Sequence, residues 1–352
     1  MTARIGVVGI GWWSCFNHIP TLQASSDVRH IAICDLTDAR LAEVGDRFGI
    51  TARYKDVATM VRAEGLDGVI VATPHVAHTA PAIAALQAGA HVMVEKPMAT
   101  TAADGWAIAQ AGVAAGRAVM VPTGLNYTRY TAVAAQWVRD GRIGQVRHAM
   151  CQMGSALADL MAGEPMLETT DHLYRPPAST WADPAKAGGY AWGQMSHAIG
   201  WLVHVADLRF ATIYCMDGKS PSGVDYYDAA VGRATNGATV AFSGASTVPK
   251  QRGLQTDIRI FGTEGVIFFD CEGGRARLEL SRLDGAQEVY PMAPGEADYD
   301  GALPVRHFAA FCAGKPVGNP ANGEGGARVT EAIAAMYASA ASGLAVTIGG
   351  QG

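Results

Sequence analysis

The sequence predicts an α/β protein that begins with a doubly wound parallel sheet, and two patterns support this prediction. Over the first third of the 352-residue chain, short β-branched runs alternate with segments of helical periodicity, as in parallel strands joined by crossover helices. After Gly124 this alternation stops. We therefore predict two domains, residues 1–123 and residues 124–352.

The strands of the first domain are predicted from five β-branched runs. These are Ile5–Val8, Ile31–Cys34, Val69–Ala72, Val92–Val94 and Val119–Val121. Apolar residues at helical spacing between the runs, such as Leu41, Val44 and Phe48, predict amphipathic helices.

The second domain has a different order of predicted elements, in which a long loop separates one strand from a group of closely spaced strands. We predict a helix around Val133, Gln136 and Trp137, a strand from Val146 to Met153, and a proline-rich loop from Leu157 to Gly189. Loops of this length usually carry function. A meander follows, with strands Thr239–Ala245, Asp257–Phe261 and Val266–Asp270, and helices close the chain near Val305–Cys312 and Ala327–Ser342.

Composition argues against several classes of protein. The net charge of −5 and the pI near 6.0 do not predict a nucleic-acid-binding face. No apolar stretch reaches the roughly 20 residues needed to span a bilayer. The six cysteines lack metal-binding or C-x-x-C spacing, and the first strand follows almost directly without a signal-peptide pattern. We therefore expect a soluble, cytoplasmic protein.

The segment after the first predicted strand, Gly9-Ile10-Gly11-Trp12-Trp13-Ser14, follows a G-x-G-x-x-S pattern. Such glycines permit a tight turn and a close approach of backbone to a pyrophosphate at the start of the next helix. Asp35 ends the next strand, where an acidic side chain accepts ribose hydroxyls and repels a 2′-phosphate. We predict NAD as the cofactor, with NADP less favoured. The alternative for Asp35 is a turn residue before a helix.

Two tryptophans occupy the variable positions of this turn. Trp12 and Trp13, with Trp181 and Trp192 further along the chain, offer faces that stack well on the apolar faces of sugar rings. We hypothesise a carbohydrate pocket. The alternative is that Trp12 or Trp13 packs beneath the cofactor or against the second domain.

The loop after the run Val69–Ala72 reads Thr73-Pro74-His75-Val76-Ala77-His78 and contains an H-x-x-H pair. No carboxylate or third histidine lies nearby in the sequence, so we predict no metal site. Thr73, Pro74, His75 and His78 are instead expected to face the cofactor.

A lysine follows the buried run His91–Val94, in the tripeptide Glu95-Lys96-Pro97. Ligands in open α/β sheets bind at the carboxyl ends of the strands. A cation at that edge needs solvent or an anionic or polar partner, and the proline restricts the backbone of Lys96. An ordinary surface lysine in a strand-to-loop turn is the alternative.

Taken together, the motifs resemble the glucose-fructose oxidoreductase and inositol dehydrogenase family, written Gfo/Idh/MocA. They are GVVGIGWWS, Asp35, ATPHVAH, AGAHVMVEKP, GLNYTRY and GTEG. The resemblance implies a Rossmann domain followed by an α+β domain with a large, mostly antiparallel sheet. A face of that sheet often mediates oligomerisation, so we expect a homodimer or homotetramer. It also implies oxidation or reduction of sugars, cyclitols or their derivatives.

A second chemical centre is predicted where Gly188-Gly189 leads into an apolar helix. His197 lies near the start of that helix and could accept a hydroxyl proton, because imidazole titrates near neutral pH. In the family this position matches the histidine of a D-x-x-x-H pattern, but Gly193 stands where the carboxylate would be. Asp171, His172 or Asp183 in the long loop could replace it.

Other residues around this centre are candidates by position. Tyr127 and Arg129 resemble positions near the family's substrate pocket, with ordinary interdomain packing as the alternative, and His204 is expected to be structural. The predicted substrate-binding set is Lys96, Tyr127, Arg129, Asp171, His172, Trp192, Gln194 and His197.

We therefore predict an NAD(P)-dependent oxidoreductase that oxidises a secondary hydroxyl of a sugar, cyclitol or sugar derivative. His197 would take the proton, and Lys96 would orient the hydroxyl and stabilise negative charge, or share the acid–base role. The predicted cofactor-binding set is Gly9, Ile10, Gly11, Trp12, Trp13, Asp35, Thr73, Pro74, His75, His78, Glu95 and Lys96.

Two alternatives to a dehydrogenase stay open. One is redox-neutral elimination or glycoside cleavage through transient oxidation by bound NAD. The other is a non-catalytic regulator that binds a sugar and NAD, which Gly193 favours and the presence of Lys96 and His197 disfavours.

Overall fold

The computed structural model describes residues 1–272 and 274–349, and this chain divides into two compact units. The first unit contains Met1–Pro122, Pro165–Thr180 and Asp300–Ala327. The second contains Thr123–Glu164, Trp181–Tyr299 and the residues from Arg328 onward. Two later segments therefore lie in the first unit, although chain order alone assigned them to the second domain.

The first unit is built on a parallel sheet of six strands in the described chain, which confirms the predicted doubly wound fold. The strands are β1 (Ala3–Val8), β2 (Val28–Cys34), β3 (Arg53–Tyr54), β4 (Gly68–Val71), β5 (His91–Val94) and β6 (Val119–Met120). Their order is β3-β2-β1-β4-β5-β6, with parallel pairing throughout. The order reverses between β1 and β4, and ligands bind beside such a switch point.

The second unit is built on a mixed sheet of nine strands within the described residues. The strands are β7 (Val146–Gly154), β8 (Phe210–Lys219), β9 (Asp225–Ala234), β10 (Thr239–Ala245), β11 (Gln255–Gly262), β12 (Gly265–Glu272), β13 (Arg275–Arg282), β14 (Gln287–Val289) and β15 (Val346–Thr347). Their order is β14-β13-β12-β11-β7-β10-β9-β8-β15. Among the strand pairs of the described residues, only β7 and β10 pair in parallel, which confirms the mostly antiparallel sheet.

Eleven α-helices complete the two units among the described residues. They are α1 (Ile19–Ala24), α2 (Asp38–Phe48), α3 (Val57–Glu64), α4 (Thr79–Gln87), α5 (Ala102–Ala115), α6 (Arg129–Arg139), α7 (Ala158–Ala162), α8 (Ala178–Trp181), α9 (Ser196–Ala206), α10 (Ala302–Cys312) and α11 (Gly323–Ser342). Because α7 and α8 lie within Leu157–Gly189, that segment is not the continuous loop predicted from its prolines. No helix in the described part of the chain is long and apolar enough to cross a membrane.

Two π-helical segments of the described chain lie next to candidate functional residues, one after the glycine turn and one before His197. Ser14–His18 leads into α1, and Ala191–Met195 leads into α9. A π turn inserts one extra residue into a helix, and such turns are frequent at functional sites. His18 closes the first segment, and His197 is the second residue of α9.

Each unit has its own hydrophobic core. In the first unit, Ile5, Ile70 and Met93 from neighbouring strands pack with Phe308 of α10. In the second unit, the rings of Trp201 and Tyr130 stack on Phe269, with centroid distances of 4.9 and 5.2 Å. Helices α9 and α6 therefore pack on one face of the nine-stranded sheet.

Candidate active site

The turn after β1 has the shape that a dinucleotide pyrophosphate requires. Gly9 has a φ of 80°, and a Cβ there would lie 2.7 Å from the backbone nitrogen of Thr73. A Cβ at Gly11 would meet no heavy atom within 4 Å, so open space faces that glycine. The Ser14 hydroxyl donates to the Gly9 carbonyl at 2.7 Å and fixes the turn. The backbone therefore fits phosphate oxygens approaching Gly11.

Asp35 lies directly after β2 and is anchored by two backbone groups. Its Oδ2 accepts from the Ile10 N–H at 3.3 Å, and its Oδ1 accepts from the Thr37 N–H at 3.1 Å. Each carboxylate oxygen retains a further lone pair that could accept a ribose hydroxyl. The Arg40 guanidinium lies 4.0 Å from Oδ2. This arrangement fits the adenosine ribose of NAD.

The H-x-x-H pair has a structural arrangement. His78 is buried, and its ring nitrogens lie 2.9 Å from the Pro97 carbonyl and 2.8 Å from the Thr73 carbonyl. It therefore ties the loop after β4 to the loop after β5, and its expected place facing the cofactor stays a prediction. His75 is also buried, whereas Thr73 is half-buried and Pro74 exposed. No group of three or more metal-ligating side chains lies together in the described part of the chain.

The two tryptophans of the turn make contacts inside the first unit. The Trp12 indole N–H donates to His172 Nδ1 at 2.8 Å. A Cβ at Gly301 would lie 2.8 Å from the Trp13 ring, so that glycine permits close packing. These contacts favour packing over the hypothesis that both rings stack on a sugar.

Glu95 is a buried carboxylate directly before Lys96. Its Oε1 lies 3.1 Å from His18 Nε2, and its Oε2 accepts from the Lys96 backbone N–H at 3.1 Å. Burial raises the pKa of Glu95, but the hydrogen bond and charge of His18 and the charge of Lys96 outweigh it. The pKa of Glu95 is therefore below its ordinary value, and the group is an anion. Its side chain points to His18, an interaction that sequence reasoning missed.

Lys96 has an unusual acidity for a lysine. Desolvation lowers the pKa of its amine to about 8, although the nearby Glu95 charge opposes that shift. The side chain nevertheless has some exposed surface. An amine with this pKa is mostly cationic at neutral pH but can also exchange a proton, so it could stabilise developing negative charge or act in acid–base chemistry.

Replacing Glu95 with glutamine is expected to lower the pKa of Lys96 further, because the anion that favours the ammonium is removed. If the cationic form of Lys96 is the active one, kcat falls as pH rises through about 8. In Glu95→Gln this fall should occur at lower pH. The measurements are the pH profile of kcat and, independently of activity, the pH dependence of trace acetylation at Lys96 followed by mass spectrometry.

An exposed acid at the end of α6 provides the control for this prediction. Asp140→Asn should leave both profiles unchanged, because Asp140 is exposed and Glu95 is the charge that shifts the pKa of Lys96. An unchanged acetylation profile in Glu95→Gln would show that Glu95 does not tune Lys96.

In the second unit, His197 is buried near the start of α9, with 3% of its surface exposed. The Tyr299 ring lies nearly perpendicular to the His197 ring, with centroids 5.7 Å apart. Trp192 is buried and stacks on Tyr337 at 5.5 Å, and Gln194 is half-buried. Trp192 therefore has a protein partner on one face of its ring.

The remaining positional candidates of this unit differ in exposure. Tyr127 is buried in the turn before α6, and Arg129 is exposed at the first position of α6. His204 is half-buried, and burial followed by the charge of Arg139 lowers its pKa.

Asp225 braces the π-helical segment that precedes His197. Its Oδ2 accepts from the Ala191 N–H at 2.8 Å, and its Oδ1 accepts from the Tyr337 hydroxyl at 2.6 Å. Burial and the Asp225 charge raise the pKa of neighbouring Asp228 well above its ordinary value. The sequence analysis did not identify Asp225 or Asp228. Two acids within the sequence of strand β9 are unusual and could have indicated a buried polar cluster.

Comparisons with known proteins identify the family. A family model described as an oxidoreductase family with an NAD-binding Rossmann fold matches residues 3–123. The model of the GFO/IDH/MocA C-terminal domain matches residues 131–268. The chain belongs to the Gfo/Idh/MocA family. The predicted resemblance is confirmed, and the first unit has the NAD-binding Rossmann fold.

Named relatives of this Gfo/Idh/MocA protein include sugar and cyclitol dehydrogenases. D-apiose dehydrogenase from Paraburkholderia graminis is 32% identical over 167 residues, 47% of this chain and 44% of that protein. Inositol 2-dehydrogenase from Salmonella typhimurium is 29% identical over 177 residues, 49% of this chain and 52% of that protein. The matched part therefore spans about half the length of these relatives.

A solved structure extends the likeness over the full fold. Levoglucosan dehydrogenase in complex with NADH superposes with a TM-score of 0.77 and covers 99% of this chain and 100% of that chain. At 20% sequence identity, this match shows the fold alone.

The departure of this Gfo/Idh/MocA protein from the D-x-x-x-H pattern has a steric explanation. A Cβ at Gly193 would lie 2.4 Å from a ring carbon of Trp181. The Trp181 ring therefore fills the space in which a side chain at position 193 would begin. A carboxylate at that position cannot be accommodated without displacing the tryptophan.

The acids considered as replacements have other surroundings. Asp171 is exposed and, like His172, belongs to the first unit. Asp183 belongs to the second unit, where its Oδ1 accepts from the Ala185 N–H at 3.0 Å and its Oδ2 lies 3.6 Å from the Lys186 amine. Asp183 therefore stabilises a local turn.

Gly193→Ala should destabilise the protein by about 1–3 kcal/mol, because the added methyl group overpacks against Trp181. In a Trp181→Leu background the same substitution should cost much less, since the contacting ring carbons are absent. Thermal unfolding of the four proteins in this double-mutant cycle measures the coupling. Gly318→Ala is the control, because a Cβ there would meet open space. If Gly193→Ala costs the same free energy of unfolding with Trp181 and with Leu at position 181, the steric explanation is wrong.

Proposed function

We propose that this protein is an NAD-dependent dehydrogenase that oxidises a secondary hydroxyl of a sugar, cyclitol or sugar derivative. The observation that carries the proposal is Lys96, whose pKa is about 8 at the carboxyl end of β5. It belongs to the same unit as the glycine turn and Asp35. The names of the relatives, D-apiose dehydrogenase and inositol 2-dehydrogenase, support the substrate class.

The residues of the first unit fit NAD better than NADP. The backbone at Gly9 and Gly11 would hold the pyrophosphate, and Asp35 would accept the hydroxyls of the adenosine ribose. Negative charge on Asp35 would repel a 2′-phosphate. When bound, NAD supplies a hydride acceptor.

In this proposal one side chain stabilises negative charge on the substrate oxygen and another accepts the hydroxyl proton. The Lys96 ammonium would bind the substrate hydroxyl and stabilise negative charge that develops on its oxygen. His197 would accept the hydroxyl proton. Each group would be needed at the moment when the carbon loses its hydride.

The oligomeric part of the proposal is a homodimer or homotetramer formed through the nine-stranded sheet. Met150, Ala241, Val231 and Tyr214 are paired in register across β7, β10, β9 and β8. Met150 and Val231 are exposed, so the sheet face opposite the core offers an apolar row for self-association. Light scattering of the purified protein measures the oligomeric state, and a monomer at all concentrations would contradict this part.

The central test is incubation of the purified protein with NAD or NADP and a panel of monosaccharides, inositols and glycosides. Absorbance of the reduced cofactor should rise with NAD and one group of substrates, with one NADH formed per ketone. Product formation without NADH would instead indicate redox-neutral chemistry. Binding of sugar and NAD without any product would indicate a regulator.

A further inference from the structure

Residues 165–180, here called the strap, belong to the first unit although they follow and precede second-unit residues in the chain. The strap contains two aromatic side chains with specific partners, His172 and Tyr174. Their partners lie beside the glycine turn and on α2. These contacts connect the strap to the turn that fits the pyrophosphate and to the helix that follows Asp35.

The first anchor of the strap is His172. Its Nδ1 accepts the Trp12 indole N–H at 2.8 Å, which requires a lone pair on that nitrogen. The His172 ring also stacks on Phe16, with centroids 4.0 Å apart and planes inclined by 16°. Trp12 follows Gly11 directly, and Phe16 lies in the π-helical segment that begins at Ser14. This anchor therefore holds both the turn and the start of the next helix.

The second anchor is Tyr174. Its hydroxyl donates to Glu43 Oε2 at 2.6 Å, and the Arg40 guanidinium lies 5.1 Å from the centre of its ring. Arg40 in turn lies 4.0 Å from the Asp35 carboxylate. Burial and the hydrogen bond to Glu43 raise the pKa of Tyr174 to about 12, so its phenol is a proton donor at neutral pH.

We propose that the strap holds the glycine turn and the Asp35 region in the geometry that binds NAD, with His172 and Tyr174 as positioning residues. This inference rests on the proposed function, since it assumes NAD as the ligand. A binding site that is ordered before the ligand arrives avoids the free-energy cost of ordering it on binding. Loss of an anchor should therefore weaken NAD binding without removing any group that fits the cofactor directly.

The experiment compares NAD binding by the full chain and its variants, using calorimetry for Kd and stopped-flow fluorescence for the dissociation rate. His172→Ala and Tyr174→Phe are each expected to raise Kd by about threefold to tenfold, mainly through faster dissociation. His172→Asn should recover part of the loss, because its amide oxygen can replace Nδ1 as an acceptor. Ser179→Ala, an exposed strap position, should bind NAD like the parent protein.

Thermal unfolding of each variant without NAD separates positioning from simple stabilisation. A lower melting temperature with an unchanged Kd and dissociation rate would overturn the inference and leave the strap as a structural element. If the parent protein and both anchor variants bind NAD equally well, the inference is also overturned, but the proposed function is not. Failure of the parent protein to bind NAD would overturn both.

Discussion

Lys96→Met should lower kcat by about 10²–10⁴-fold, the usual range for loss of a positioned catalytic group. Methionine retains much of the length and apolar volume of the lysine stem but removes the cation. The loss is expected in the chemical step, because the ammonium of Lys96 would bind charge that develops on the substrate oxygen. Steady-state kinetics with the substrate found in the panel measures the change.

Binding and charge controls make this result specific to Lys96. NAD affinity of Lys96→Met should remain within a few-fold of the parent value, because Gly9, Gly11 and Asp35 are unchanged. Lys55→Met should keep full activity, since that lysine is exposed and pairs with Asp38 at 2.6 Å. Full turnover by Lys96→Met would remove Lys96 from the mechanism.

Local sequence patterns were sufficient to predict the sheet and the place of Lys96. β-branched runs of three or four residues alternate with helical segments in the first domain, so β1, β2, β4, β5 and β6 were predicted near their observed bounds. Position at the carboxyl end of such a strand then placed Lys96 at the ligand-binding edge. The two-residue strand β3 was missed because Arg53 and Tyr54 include no β-branched residue.

Local sequence patterns could not predict contacts between segments that are distant in the chain. Nothing in the residues around His172 indicates that they belong to the first unit, because that placement depends on partners about 160 positions earlier, such as Trp12. For the same reason, the sequence indicated His172 as a substrate-binding residue, whereas in the structure it accepts a hydrogen bond from Trp12 of the glycine turn.

The sequence also could not predict which side chains lie too close together for a larger residue to fit. The glycine at 193 was recognised as a departure from the family pattern, but its cause, the Trp181 ring, lies 12 positions earlier on a short helix. The contact between Glu95 and His18 was missed because buried polar pairs have no characteristic spacing when the two residues lie on separate elements.

The second large effect is expected from His197→Ala, with kcat reduced by about 10²–10⁴-fold. His197 is the second residue of α9, and Asp225 braces the π-helical segment before it through the Ala191 N–H. If His197 accepts the hydroxyl proton, the loss should fall on the chemical step, while NAD affinity should stay within a few-fold of the parent value because Gly9, Gly11 and Asp35 are unchanged. Steady-state kinetics and calorimetry of NAD binding measure both effects.

His204 on the same helix provides a matched control for His197. It is the same residue type, seven positions later and half-buried, and it has no role in the proposed chemistry. His204→Ala should therefore keep both the turnover and the NAD affinity. Because His197 is buried, truncation could disturb packing, so His197→Gln and the melting temperature of each variant separate folding from chemistry. Equal losses in His197→Ala and His204→Ala would assign the effect to helix α9 as a whole. A folded His197→Gln protein with full turnover would leave Lys96 as the group that both binds the hydroxyl and takes its proton, for which its pKa of about 8 is suitable.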